Sequence, residues 1–342
     1  MYTQDMNESE FQRQAAQFLE KLFQQMTNQS IVLETHWDID HLCFRASTEE
    51  SYQKFKFDFS NIAVLLIESE VNGRLISTFK MHKPVQFKNW RIDVVELPAP
   101  KKGKVTQEGF EHIEVVADLT FQELQAKYPN CKYDTSGLVK EFNQELEIEL
   151  EGCALKFHSL SLESVVRLES NSPVYQELKN SKVHKKKKNY SPLVAGTFPL
   201  GIYTDKSDLD ILISNVDFNS IEQILRNHFS SFENFNYQQM MLSDQPTVVV
   251  TFTFQNINFE IFVQNTPAIR QQAYLHFLIE EKLLKFGGNS LRQKIMNLRN
   301  TGLKTEPAFA LALGLSGDSY AELLNLQKMP NTKLKDYLHE YL

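Results

Sequence analysis

Near the start of the chain Phe11, Ala15, Phe18 and Leu22 recur at helical spacing, behind Ser9 and Gln12, whose three-residue separation suits a capping box. This pattern predicts an amphipathic scaffold helix. The period then drops to two. In WDIDHLCFRAS, Ile39, His41, Cys43 and Arg45 alternate with Asp40, Leu42 and Phe44, which puts a mostly polar set on one face of a strand. The same change of period returns in GFEHIEVVADLTFQELQ, where His112, Glu114 and Val116 share one face, Ile113 and Val115 the other, and a helix is predicted from Asp118 or Thr120. Each unit continues into further strands, closing with RIDVVELPAP in the first and LEIELEGCALKFHSLSLESVV in the second. Because His112 falls 71 positions after His41, the pattern reads as an internal duplication.

A duplicated β-α-β-β-β module curls its sheet into an open cup whose concave face points at a shared centre. His41 and His112 open the two modules, and Glu96 and His158 close them. Imidazoles and a carboxylate around an open position suit divalent zinc, iron, manganese or nickel and support Lewis-acid or oxygen chemistry. Each residue alone reads equally well as structural. A lone strand histidine is more often hydrogen-bonded scaffold, and Glu114 or Glu149 on a half-exposed strand reads as solvent-facing.

Periodicity lapses in NSPVYQELKNSKVHKKKKNYSP, with a proline near each end and the run Lys185 to Lys188. Such a like-charge block reads first as a solvated linker and second as a polyphosphate or RNA contact. Beyond it, SPLVAGTFPLGIYTDKSDLDILIS predicts a short apolar stretch ending at Gly196 and Thr197, an irregular connection, and a strand over Leu209 to Ile213. Asp208 and Asp210, two residues apart, face the same side of that strand. Two carboxylates so close raise each other's pKa unless a divalent cation lies between them, and magnesium suits a few carboxylates plus phosphate oxygens and water. Glu260, within PTVVVTFTFQNINFEIFVQ, is the third candidate, since a glutamate in so apolar a run is costly unless paired. An edge turn for the aspartates and a solvent-facing Glu260 is the plainer alternative. In PAIRQQAYLHFLIEEKLL, an amphipathic helix with Ala273, Phe277 and Leu284 inward accounts for most of the stretch, while His276 and Tyr274 remain available to read a base or acceptor. EPAFALALGL reads as a buried helix.

Composition narrows these readings. A length of 342 residues with 42% hydrophobic residues suits two cores. Three cysteines, Cys43, Cys131 and Cys153, without framework spacing argue for a reducing compartment. The polar opening MYTQDMNESE has no secretory apolar region, and the longest aliphatic run, IAVLLI, is far short of a membrane span. A net charge of −7 argues against a whole-surface nucleic-acid binder, though not against a local basic groove. The expectation is a cytoplasmic protein with no membrane partner.

HWDIDHLCFR, EVNGR, VVELPAPK, GFEHIEVV and LKFHSLSLESVV together resemble the YecM family, of the vicinal oxygen chelate superfamily that holds glyoxalase I, bleomycin-resistance proteins and extradiol dioxygenases. The resemblance covers nearly all of residues 1 to 170 and implies the paired βαβββ fold, with metal ligands at His41, Glu96, His112 and His158, the last standing where the superfamily often has glutamate. The Gly-Thr, Asp-x-Asp and later strand acid resemble the polymerase-beta-type nucleotidyltransferase superfamily. LVAGTFPLGIYTDKSDLDI, FEIFVQNTPAIRQQAYLHFLIEEKLL and GLKTEPAFALALGLSGDSYAELL look like a bacterial family of uncharacterised nucleotidyltransferase-like domains. That resemblance implies triphosphate contact at Gly196 and Thr197, magnesium on Asp208, Asp210 and Glu260, and transfer of a nucleotide from a nucleoside triphosphate to an acceptor that is not specified. The expected class is α+β with two domains. A YecM-like cup spans 1–172 and takes a small molecule, a Lys-rich linker spans 173–191, and a nucleotidyltransferase-like mixed sheet with helices spans 192–342. The rival class is a non-catalytic regulatory protein that binds metal and nucleotide.

Overall fold

The computed structural model describes residues 6–71, 73–101, 103, 107–140, 143–171, 192–215, 217–242 and 244–341. The Lys-rich linker, 173–191, lies outside the described residues. Contacts divide the chain into two units, Met1–Val166 and Arg167–Leu342, and the whole is a mixed α+β structure.

In the first unit the elements run α1 (Glu8–Asn28), β1 (Asp38–Arg45), α2 (Glu49–Ser60), β2 (Ala63–Val71), β3 (Arg74–Phe87) and β4 (Trp90–Pro98). A second set follows with β5 (Gly109–Val116), α3 (Phe121–Lys127), β6 (Tyr133–Asp134), β7 (Glu145–Leu150) and β8 (Cys153–His158). Each set is a β-α-β-β-β module, and together they build one eight-stranded sheet ordered β2-β3-β4-β1-β5-β8-β7-β6. The modules join where β1 pairs antiparallel with β5, and each opening strand pairs parallel with its own module's last strand, β1 with β4 and β5 with β8. α1 begins two residues earlier than the Ser9 cap predicts, because the Asn7 side chain accepts from the Glu10 amide. Thr120 caps α3 through a full capping box with Glu123.

The core of this unit lies on the helix side of the sheet. Phe44 of β1 meets Phe55 and Phe59 of α2 and Phe110 of β5, and Phe11 of α1 closes on Phe59 and Phe110, all edge-on with centroids 4.8–5.5 Å apart. Burial of each such ring contributes about 2–3 kcal/mol. That aromatic layer takes the Leu42 and Phe44 side of β1 and leaves the His41 and Cys43 side to the cup.

The second unit carries β9 (Leu193–Ala195), the single-turn α5 (Thr197–Leu200), β10 (Asp208–Ser214), α6 (Phe218–Phe229), β11 (Glu233–Leu242), β12 (Gln245–Phe254) and β13 (Ile257–Gln264). The helices α7 (Gln272–Asn300), α8 (Thr305–Ala312), α9 (Ser319–Gln327) and α10 (Asn331–His339) follow, and α4 (Leu162–Asn171) precedes β9. The sheet order is β11-β12-β13-β10-β9, with β10 and β13 parallel and the other pairs antiparallel. The long apolar run read as one β-rich stretch is a hairpin, turned at Gln255 and Asn256, both with positive φ (48° and 63°). On α7, Ala273 faces solvent rather than the core, and Tyr274, Phe277 and Leu284 are buried. The helical stripe is rotated from the expected one because α7 also packs against α8, α9 and α10. Among the described residues no helix is long and apolar enough to cross a membrane, and Cys43, Cys131 and Cys153 are free thiols.

Candidate metal cup and acid face

The four central strands of the first sheet, β4, β1, β5 and β8, carry Glu96, His41, His112 and His158 in that order across the sheet. Register sets Glu96 and His112 on either side of Cys43, and His41 opposite Glu114. Ligand atoms of His41, Glu96 and His112 lie within 4.8 Å of one another, and His158 converges instead with His41 and Asp40.

Neighbouring carboxylates orient two of the imidazoles. Asp40 Oδ2 lies 2.8 Å from His41 Nδ1, and Glu111 Oε2 lies 3.1 Å from His112 Nδ1, so each Nδ1–H is held and Nε2 is turned into the cup. Both Nε2 atoms are buried and make no hydrogen bond with the described residues. A carboxylate behind the far nitrogen of an imidazole is the usual support of a metal-binding histidine. His158 differs. The Asn143 amide is oriented by two bonds with Leu160, accepting from its N–H at 3.0 Å and donating to its carbonyl at 2.9 Å, which leaves Nδ2 to donate to His158 Nδ1 at 3.1 Å. A neutral His158 then carries its proton on Nε2, 3.4 Å from Asp40 Oδ2, and offers no lone pair to the cup.

Glu114, which strand alternation reads as solvent-facing, is enclosed instead, because the sheet curls over its face. It is 7% exposed and stands at the centre of the cup. Its Oε1 lies 3.2 Å from His112 Nε2, 3.6 Å from His41 Nε2 and 3.6 Å from Lys156 Nζ, and its Oε2 lies 3.6 Å from His158 Nδ1. Burial works to raise its pKa, but His41 and Lys156 overcome this and hold it well below the usual carboxylate range. Burial opposes the charge on His41, and Glu114 with Asp40 lifts it well above the ordinary imidazole value. His112, against the same penalty, is pushed up to about 10 by Cys43 and Glu111. His158 is lowered by burial.

On the second sheet, Asp210 stands directly beside Glu260 in the parallel β10–β13 pairing, with Asp208 beside Asn258 two residues along the same face. β9 closes the other side, pairing Ala195 with Asp210, and Gly196 follows at φ 72°, ψ −155°, a conformation essentially confined to glycine. A methyl group on Gly196 would overlap the Asp210 carboxylate. Thr197, next in the chain, is buried and opens α5. The connection into β10 is held from α7. Arg292 Nη1 donates to the carbonyls of Leu200 (2.6 Å) and Gly201 (3.2 Å), Arg299 Nε donates to Ile202 (3.0 Å), and Arg299 Nη2 donates to Ser207 Oγ (3.0 Å). These two arginines fix the entry to Asp208, and nothing in their local sequence announces it.

Among the described residues no cationic side chain balances the centre of the acid face. Burial raises Asp208, and burial together with Glu260, Asp208 and Glu306 raises Asp210 well above the ordinary value. Glu260 is raised by burial and Asp208, with Lys304 acting the other way. Among the described residues, the three carboxylates are not one of the groups whose ligand atoms converge within 4.8 Å.

The family model described as YecM protein matches residues 7–161, and one described as a domain of unknown function, DUF4269, matches residues 176–326. The chain is 30% identical over 148 residues to Protein YecM of Escherichia coli (strain K12), a match that takes in 39% of this chain and 79% of that protein. The chain belongs to the YecM family. It is similar to the solved structure of Protein EC4020 at 29% identity and a TM-score of 0.39, covering 46% of this chain and 88% of that one. It is also similar to the Cid1 poly(U) polymerase solved with Mg and 3'-dATP, at 13% identity and a TM-score of 0.30, covering 44% of this chain and 48% of that one.

Proposed function

We propose that the chain is a two-domain enzyme whose second unit is a magnesium-dependent nucleotidyltransferase. The observation that carries the reading is the placement of Asp208, Asp210 and Glu260 on one face of two adjacent parallel strands, against a glycine where any side chain would overlap the Asp210 carboxylate. Magnesium held by these carboxylates supplies neutralisation of a triphosphate and activation of an acceptor hydroxyl. The chain's own part is positional. A cation relieves the burial and carboxylate repulsion that oppose charge on Asp210, Gly196 keeps the space in front of it clear, and Arg292 and Arg299 hold the loop that delivers Asp208. Gly196 and Thr197 form the edge against which the triphosphate lies.

In the first unit the same reading assigns a divalent transition metal to His41 Nε2, His112 Nε2, Glu96 and Glu114, with His158 and Asp40 as positioning residues. Two oriented, unbonded imidazole nitrogens beside two carboxylates support it. The bound metal supplies Lewis-acid polarisation of a small oxygen-bearing ligand in the cup.

Calorimetric titration with magnesium and each nucleoside triphosphate tests the transferase reading. Wild type binds at least one triphosphate only when magnesium is present, and Asp210→Asn and Glu260→Gln stay folded and lose that binding. Equal binding by all three proteins overturns the assignment.

A further inference from the structure

α7 carries a second buried set of ligand-type side chains that the acid face does not use. His276 and Glu280 stand four residues apart on α7 and so share one side of it, and Glu306 reaches them from the first turn of α8. One ligand atom from each lies within 4.8 Å of the other two. His276 is 5% exposed and Glu280 2%. Both ring nitrogens of His276 and Oε1 of Glu280 are buried without a hydrogen-bond partner among the described residues.

The surroundings do not satisfy them. Tyr320 meets the His276 ring edge-on at 5.7 Å, a packing contact. Arg299 lies near enough to act electrostatically with Glu280 and Glu306, yet directs its bonds at Ile202, Ser207 and Thr305. Each buried polar atom without a partner costs about 1–3 kcal/mol, so His276 and Glu280, each with an unpartnered buried atom and each offering a ligand atom to one cluster with Glu306, call for a common partner. An imidazole with two carboxylates suits a borderline divalent ion better than magnesium, which prefers oxygen and water.

We propose that His276, Glu280 and Glu306 bind one divalent transition metal ion of the zinc, manganese or iron class. The ion ties α7 to α8 and offsets the charge of Glu306, which otherwise adds to the field on Asp210. The site stands on its own geometry and does not depend on the transferase reading.

Cobalt(II) titration of the full-length chain carrying His41→Ala and His112→Ala, which removes two of the three cup imidazoles, run in saturating magnesium to occupy the acid face, reads this site. The expected result is a single equivalent bound, with visible ligand-field bands that zinc abolishes and magnesium does not. Adding His276→Ala removes the bands. Adding Glu306→Gln, at a half-exposed position where folding is little at risk, weakens binding by about tenfold or more, a loss even outer partners of a metal can cause. No cobalt uptake by the double variant overturns the proposal, as does uptake unchanged by both His276→Ala and Glu306→Gln.

Discussion

In the first unit a buried carboxylate, Glu114, is surrounded by two imidazoles and a lysine, whereas in the second unit Asp210 is surrounded by Glu260, Asp208 and Glu306. Burial penalises both. The partners decide the outcome, holding Glu114 well below and pushing Asp210 well above the ordinary carboxylate range. The cup thus balances its own charge through His41, His112 and Lys156, and a metal entering it must displace protons from Nε2. Among the described residues the acid face has no comparable internal balance, with Lys304 alone acting against the carboxylates on Glu260. The same kind of side chain therefore stabilises one unit and destabilises the other.

The largest expected effect breaks the cup's balance. Glu114→Gln strips one carboxylate from the imidazoles and from buried Lys156, which keeps Glu145 and Glu147, and lowers stability by about 3 kcal/mol, the low end for breaking a buried ion pair. Scanning calorimetry of the full chain checks it. A loss confined to the first unit's transition is expected, and an unchanged trace removes Glu114 from the centre of the network.

Next comes Gly196→Ala. The backbone there has φ 72° and ψ −155°, and the added methyl meets the Asp210 carboxylate, so a loss of about 2–3 kcal/mol in the second unit's transition is expected. Magnesium-dependent nucleotide binding should disappear with it.

Asp118 sharpens the contrast through pH. It accepts from the Trp37 indole at 2.6 Å and faces His36 at 3.3 Å. Burial tends to raise it, but these partners lower it from 3.8 to about 2. A carboxyl depressed on folding contributes stability that is present above pH 3.8 and is lost as pH falls through about 2. Asp118→Asn should cost about 2 kcal/mol at neutral pH, and its urea midpoint should meet that of wild type at the acid end.

For Asp210 the sign reverses. A carboxyl raised on folding is most favourable below its unfolded value and costs stability as pH rises through its folded value. Asp210→Asn should therefore gain about 1 kcal/mol at neutral pH without magnesium, and thermal unfolding should show the gain shrinking as pH falls. A loss at neutral pH would mean the aspartate is already paired.

Much of this was legible in the chain. Alternation around His41 and His112 predicts both opening strands, and the repeat interval predicts the doubled module whose eight strands the structure joins. Asp208 and Asp210 share a face because a strand has period two, whatever surrounds it. Glu114 was not legible as central, because periodicity says which residues share a face and not whether that face is wet or enclosed. The proton on His158 depends on an amide fixed by Leu160, and the need for glycine at position 196 depends on a carboxylate from the neighbouring strand. Those facts exist only after folding. The Ser9 cap and inward Ala273 failed for local reasons, since Asn7 caps the Glu10 amide and starts the helix earlier, and α7 meets other helices besides the sheet.

The account's central claim is that the acid face performs chemistry and the cup is a separate centre. Release of pyrophosphate from nucleoside triphosphates with magnesium tests it most directly, measured on wild type, Asp210→Asn, and the His41→Ala with His112→Ala double variant. The account predicts turnover by wild type with at least one nucleotide, none by Asp210→Asn, and turnover retained in the double variant. Release that survives Asp210→Asn, or no release by wild type from any nucleotide, would contradict it.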